Sequence, residues 1–432
     1  MKKFLIPLII VIVIGIIAGV LFFFRNTSIG EGGRTIGSFF PFGNNVAEID
    51  DTLFPSDTNV DGLGVDTQGD NSPITPLRQI HNKPVSSFVS MVKDDKKPYV
   101  RFMERSLGNI YESNMSGVEK NRISNETFPA IYNAIWNSTG DGIAFTQLAD
   151  DKITTFTANL NDNTGTSTNS LFSEGSYLPE QIISSASFGD KIFYIYPTDS
   201  GSVGTIANFN GGSKNIIFDS QLTEWLASWV NKNTILLTTK PSAEIPGYAY
   251  ILDIAKKKTT KVVGNIKGLT TLMSPDKKLV VYTEASSGGI GTLLYNTDTS
   301  EAFPLALNTF PEKCVWSTKS SSTLYCSSPN IIPRGTYPDD WYKGVVSFSD
   351  SIWEINTSAN TANILSVLSI DAGEDIDAVK LALSPNEDYL VFINKKDSTL
   401  WSLRLIEPEL PDKEEIDTVV PDEIIQESQE GI

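Results

Sequence analysis

An all-β, seven-bladed propeller with four antiparallel strands to a blade is the fold this sequence predicts. Three observations point to it. A strand–turn–strand unit recurs down the chain. Its first-strand anchors lie roughly 42–52 residues apart until a longer last interval. Each unit is usually followed by two more short strands, which makes a four-stranded blade. The unit is clearest at residues 272–283. There Pro275 and Asp276 suit the first half of a turn, and Leu279, Val280, Val281 and Tyr282 form an apolar strand.

The copies follow in order. Anchors fall near Phe88, Ile135, Ser187, Trp229, Met273, Trp316 and Leu383. Second strands such as Ile192 to Tyr196 or Leu279 to Tyr282 are apolar throughout rather than alternating. A blade sandwiched between neighbours explains this, because both of its faces are buried. The last unit lacks a fourth strand, while residues 77–84 resemble the fourth strand and following loop of the first unit at 120–126. Closure of the ring by the N-terminal strand, with no open sheet edge left, is the simplest account.

The propeller is expected over residues 77–406. Residues 1–25 read as a single transmembrane anchor. Positions 4–24 form an apolar run of about twenty residues, the length a spanning helix needs. Lys2 and Lys3 precede it, which places the N-terminus in the cytoplasm and the propeller on the extracytoplasmic side of the cell membrane. The run ends in Leu21, Phe22, Phe23, Phe24 and Arg25 rather than a small-residue cleavage site, so the anchor is read as uncleaved. Residues 26–76 read as a flexible acidic linker of Gly, Asp, Asn and Ser, with a reach of roughly 40 Å. Within it Asp57, Asn59, Asp61 and Gly62 match half of a calcium loop. Gln68 stands where a bidentate Glu is needed, and a solvated linker is the reading taken. Residues 407–432 form an acidic tail with no apolar period, expected to be disordered.

Composition excludes several functions. The net charge of −18 argues against nucleic acid, which needs clustered Lys and Arg. A single histidine, His81, excludes a multi-His metal site, and two cysteines exclude a thiolate cluster. His81 lies in the closing strand and is read as an interstrand residue. No catalytic group, metal or cofactor is expected. Trp136, Trp229 and Trp316 recur at one blade position and are read as core. Cys314 and Cys326 lie symmetrically about the turn near Ser320, and a disulfide is expected between them.

The motifs Ser274-Pro275-Asp276 and Ser384-Pro385-Asn386, each leading into an apolar strand, resemble the Ser-Pro-Asp-Gly turn of TolB-type and WD-repeat-like β-propellers. Lys277 and Glu387 stand where that pattern has Gly. The resemblance implies turns and blade cores rather than a site, and propellers of this kind commonly serve as binding platforms. A non-catalytic, monomeric platform for an envelope protein or glycan is therefore the function expected. A structural surface component and a carboxylate-based hydrolase are the alternatives.

One irregularity suggests where binding occurs. Residues 328–344 intervene between the second and third strands of a blade, and their Pro, aromatic and charged residues differ from the other loops. Such a loop emerges on the face where blades join. Arg334, Tyr337, Asp340, Trp341 and Tyr342 combine residue types enriched at hot spots, with Trp341 and Tyr337 as the expected anchors. The competing reading is an insertion that braces its own blade.

Overall fold

The structure is a computed structural model that describes residues 76–93, 97–149, 152–161 and 170–406. The expected anchor, most of the linker, its calcium-like stretch and the acidic tail lie outside the described residues. Among the described residues no helix is long and apolar enough to cross a membrane.

Seven four-stranded sheets make up the ring. Six come from consecutive segments, residues 85–122, 131–177, 184–220, 225–267, 271–304 and 314–367. We number these blades 1 to 6. Blade 7 is built from residues 378–404 with Leu77–His81 as its outermost strand. That strand runs antiparallel to Leu400–Arg404, pairing Leu77 with Leu403 and Gln79 with Trp401. Strands alternate in direction within every blade. The blade-to-blade links and the second-to-third-strand loops therefore share one face, called here the upper face.

The core lies between blades. Phe193 and Ile195 of blade 3 pack with Trp225, Ile235 and Leu237 of blade 4. Ala144 of blade 2 packs with Ile192 and Tyr194 of blade 3. Alternate residues of one second strand thus enter two different cores, which is why these strands are apolar on both faces. Trp136 and Trp316 are buried and Trp229 is half-buried. Cys314 and Cys326 are directly paired across the first two strands of blade 6, with a disulfide S–S distance of 2.07 Å.

The Ser-Pro turns are held by their serines. Ser274 Oγ accepts the Leu279 amide at 3.0 Å and donates to Asp276 at 2.6 Å. Ser384 Oγ accepts the Tyr389 amide at 3.0 Å. Lys277 and Glu387 adopt φ of +68° and +54°, the left-handed region that glycine enters without steric cost.

His81 stands at the seam between blades 7 and 1. It is buried, its ring lies 4.9 Å from that of Phe102, and its Nε2 is 3.6 Å from Glu104 Oε1.

Candidate functional site

The 330–349 segment leaves the upper face between Thr323–Pro329 and Asp350–Asn356, and it does not stay on its own blade. Gly335 donates its amide to Gly288 O of blade 5 at 3.2 Å. Asp339 Oδ2 accepts the Ala243 amide from the blade 4 loop at 2.8 Å. Trp341 Nε1 donates to Asp377 Oδ2 at 3.0 Å, at the entry to blade 7. A single turn of helix, Asp339–Tyr342, sits at the centre of this span. The segment thus arches over the upper end of the ring across four blades.

Its aromatic residues point inward. Trp341 is 0% exposed and stacks on Phe310 at 4.6 Å, with the rings 4° from parallel. Tyr337 is 1% exposed and donates its hydroxyl to Pro333 O at 2.6 Å. The two expected anchors are therefore core residues in this structure and present no surface to a partner. Large aromatics serve both cores and hot spots, and here burial of the arch against Phe310 and Phe348 claims them. Asp340 is half-buried and accepts the Thr336 amide at 2.7 Å, shaping the arch. Arg334 is exposed and Tyr342 half-buried.

Beneath the arch lies a fully buried ion cluster. Lys313 Nζ is 2.6 Å from Asp350 Oδ2 and pairs also with Asp377 Oδ1, and all three side chains are 0% exposed. Asp377 Oδ2 accepts from Trp341 Nε1 and, at 3.0 Å, from the Phe348 amide. Burial pushes the Asp350 carboxyl up to about 7, opposed by Lys313 and reinforced by the Asp377 charge. Asp377 is also raised by burial, but Lys313 and its hydrogen bonds outweigh that and leave it below the usual carboxylate range. With no solvent path to any member, this cluster holds the arch down rather than meeting a ligand.

Two further titratable groups, Glu312 and Tyr342, flank that cluster, with Glu312 Oε2 itself buried. Glu312 lies in the 3-10 turn Pro311–Lys313, which leads into the innermost strand of blade 6 and packs on those of blades 5 and 7. The Tyr342 hydroxyl donates to Glu312 Oε1, while Oε2 makes no hydrogen bond. Burial raises the Glu312 pKa above its ordinary value, against the pull of Tyr342, a backbone amide, nearby Thr270 and Lys313. Burial likewise drives the Tyr342 hydroxyl well up, helped by the charges of Glu312 and Asp339. The half-buried Asp339 lies one helical turn from Tyr342. Across the ring, Lys380 of blade 7 reaches Ser86 O of blade 1 at 3.0 Å and Asn133 Oδ1 of blade 2 at 3.4 Å.

Sequence reasoning passed over Glu312, Lys313, Asp377 and Lys380. One signal was present: Lys380 interrupts the apolar run Ala378, Val379, Leu381, Ala382, Leu383. Among the described residues no group of three or more His, Cys, Asp or Glu side chains is placed to hold a metal ion.

No family model matches the chain, and no curated protein matches it in sequence. Solved structures with some likeness include an oligogalacturonate lyase in complex with manganese, 11% identical with a TM-score of 0.48, covering 80% of this chain and 97% of that one. Another is an oligogalacturonate lyase from Vibrio parahaemolyticus, 12% identical with a TM-score of 0.44, covering 75% of this chain and 98% of that one. At these levels the activity of those lyases stays with them. Both of those neighbours are enzymes, contrary to the expectation of a non-catalytic binding platform, which is not taken further.

Proposed function

We propose that this propeller is a carboxyl-based hydrolase acting on a glycan at the upper mouth of the ring. The observation that carries the reading is the Glu312 carboxyl. One of its oxygens is held by Tyr342 and the other makes no hydrogen bond, and Asp339 lies on the same helical turn as Tyr342. Glycoside hydrolysis needs one carboxyl that donates a proton and a second that assists water. Burial favours the protonated form of Glu312, so it is the donor, and Asp339, tied to the Ala243 amide, is the second group. In the step, Glu312 protonates the glycosidic oxygen as its bond to the anomeric carbon breaks. Water adds to that carbon and gives a proton to Asp339, so one water is consumed per bond cleaved.

The subfamily and setting belong to the same proposal. The serine-held turns at Ser274 and Ser384 support a TolB-type or WD-repeat-like propeller. The apolar run at 4–24 supports an anchor that holds the domain outside the membrane, among envelope glycans.

Release of new reducing ends from a panel of neutral and acidic envelope glycans tests the reading. Glu312→Gln is expected to slow release by about 10²–10⁴-fold at unchanged melting temperature. No release from any glycan by the wild type, or an unimpaired Glu312→Gln variant, overturns it.

A further inference from the structure

The ion cluster under the arch sets an amine against a carboxyl in a dry place. Lys313 ends the 3-10 turn Pro311–Lys313 and Asp350 opens the strand Asp350–Asn356, so both side chains spring from fixed backbone. Lys313 Nζ is 2.6 Å from Asp350 Oδ2. The carboxyl carbon, one C–O bond further on, lies no more than about 3.8 Å from that nitrogen. This is close to the separation of a near-attack pair, and groups held so react far faster than when free in solution. The buried rings of Phe348 and Trp341 cover the nitrogen at 5.2 and 5.4 Å.

The two carboxyls beside Lys313 are built for different roles. Asp377 Oδ2 accepts from Trp341 Nε1 and the Phe348 amide, each at 3.0 Å, and from Ser347 Oγ at 3.3 Å. Those donors hold it as a carboxylate, while its Oδ1 receives Lys313 Nζ and is placed to take a proton. Asp350 Oδ2 accepts the Ala378 amide at 2.7 Å, and its buried Oδ1 makes no hydrogen bond. Burial also favours the protonated form of Asp350, the form that an amine attacks. Burial disfavours the Lys313 ammonium too, but the charges of Asp350 and Asp377 outweigh it and leave that pKa above its ordinary value. The nucleophile is therefore released by proton transfer inside the cluster. Buried charges are costly even when paired, and an amide in their place carries none.

We propose that Lys313 and Asp350 condense into an intramolecular isopeptide bond, with Asp377 as the proton carrier. Asp377 takes one proton from the Lys313 ammonium. The Nζ lone pair then attacks the carboxyl carbon of protonated Asp350, and the Ala378 amide donates to the oxygen that gains charge. The bond from that carbon to the Asp350 hydroxyl oxygen breaks, and the oxygen leaves as water with a second proton from Nζ. Of the four protons at the start, the amide keeps one, water carries away two and Asp377 holds the last. Nothing is oxidised or reduced, and no co-reactant enters. The ion cluster is the state before the bond forms, and the titration of Asp350 belongs to that state. The bond ties the root of the arch to the entry of blade 6, and it does not depend on hydrolysis at Glu312.

The test is the intact mass of the full chain, purified in detergent, then reduced and denatured, followed by peptide mapping. The wild type is expected to be one water lighter than its sequence, with the peptide containing Lys313 joined to the one containing Asp350. Lys313→Arg keeps a cation between the two carboxylates but forms no such amide, and should have its full sequence mass. Asp377→Asn, which cannot take the proton, should carry the bond in a fraction smaller by about tenfold or more. A wild type of full sequence mass, with residues 313 and 350 on separate peptides, overturns the proposal whatever the variants do. So does a water loss that maps elsewhere or persists in Lys313→Arg. A link from Lys313 to Asp377 overturns the roles given to the two carboxyls.

Discussion

Trp341 of the blade 6 arch donates its indole N–H to Asp377, the residue that opens blade 7, at 3.0 Å. Because the indole is fully buried, this bond and the stack on Phe310 fasten the arch to the ring. Truncation removes a large aromatic and leaves a cavity. Trp341→Ala is expected to cost about 3–5 kcal/mol in stability, measured by urea denaturation. A variant of unchanged stability would show that the arch is not part of the core.

The two carboxylates around Lys313 should not be equivalent. Asp377 is stabilised in its charged form, whereas burial drives Asp350 toward its protonated form. At pH 7 or above, Asp377→Asn is expected to destabilise by about 3–5 kcal/mol because it breaks a buried pair, and Asp350→Asn by distinctly less. A folded-state pKa raised above the unfolded value means that the wild-type contribution of Asp350 declines as pH rises toward about 7. The gap between Asp350→Asn and wild type should therefore narrow with rising pH. Equal losses in the two variants at pH 8 would contradict the assignment.

His81 offers a clean titration, being the chain's single histidine. Burial lowers its pKa below 6.5, with Lys120 adding to the effect and Glu104 opposing it. The folded protein then binds this proton less readily than the unfolded chain. Stability is whole above pH 6.5 and falls as pH drops through the folded-state pKa. The imidazole resonance should shift with a midpoint below 6.5, and a midpoint above that value would refute the seam geometry.

The two left-handed turn residues make opposite predictions. Lys277 is exposed, and Lys277→Gly relieves its backbone strain, with an expected gain of up to about 1 kcal/mol in thermal denaturation. Glu387 has the same strain, but its carboxylate accepts from the Ser317 hydroxyl at 2.7 Å and the Thr318 amide at 2.6 Å in blade 6. Glu387→Gly should lose about 1–3 kcal/mol by leaving those donors unmet. Parallel effects of the two substitutions would exclude the inter-blade role of Glu387.

The ring was legible because propeller physics writes itself into every blade. An apolar second strand with two buried faces, repeated at near-constant spacing, needs no knowledge of distant contacts. The mouth was not legible for the converse reason. Glu312 and Tyr342 come from different loops of blade 6, and Lys313 meets an Asp from the next blade entry. Trp341 and Tyr337 show a further limit. Composition identifies a segment rich in anchors without telling which way it folds, and only the arch's reach to Ala243 and Asp377 turns them inward. Lys380 stood out as a charge in an apolar strand, but the register shift around it, between Val379 and Ala382, is a backbone event with no sequence signature.

The ring's closing strand also sets how the domain would respond to mechanical load. Residue 76 enters at the lower face, where the Arg404 amide donates to Pro76 O at 2.8 Å, so a pull on residue 76 away from that face runs along the axis of Leu77–His81. The ladder bonds to Leu400–Arg404 lie perpendicular to that axis. Tension therefore shears the whole ladder at once instead of unzipping it pair by pair. The ring mouth, on the opposite face, stays turned away from the direction of the pull.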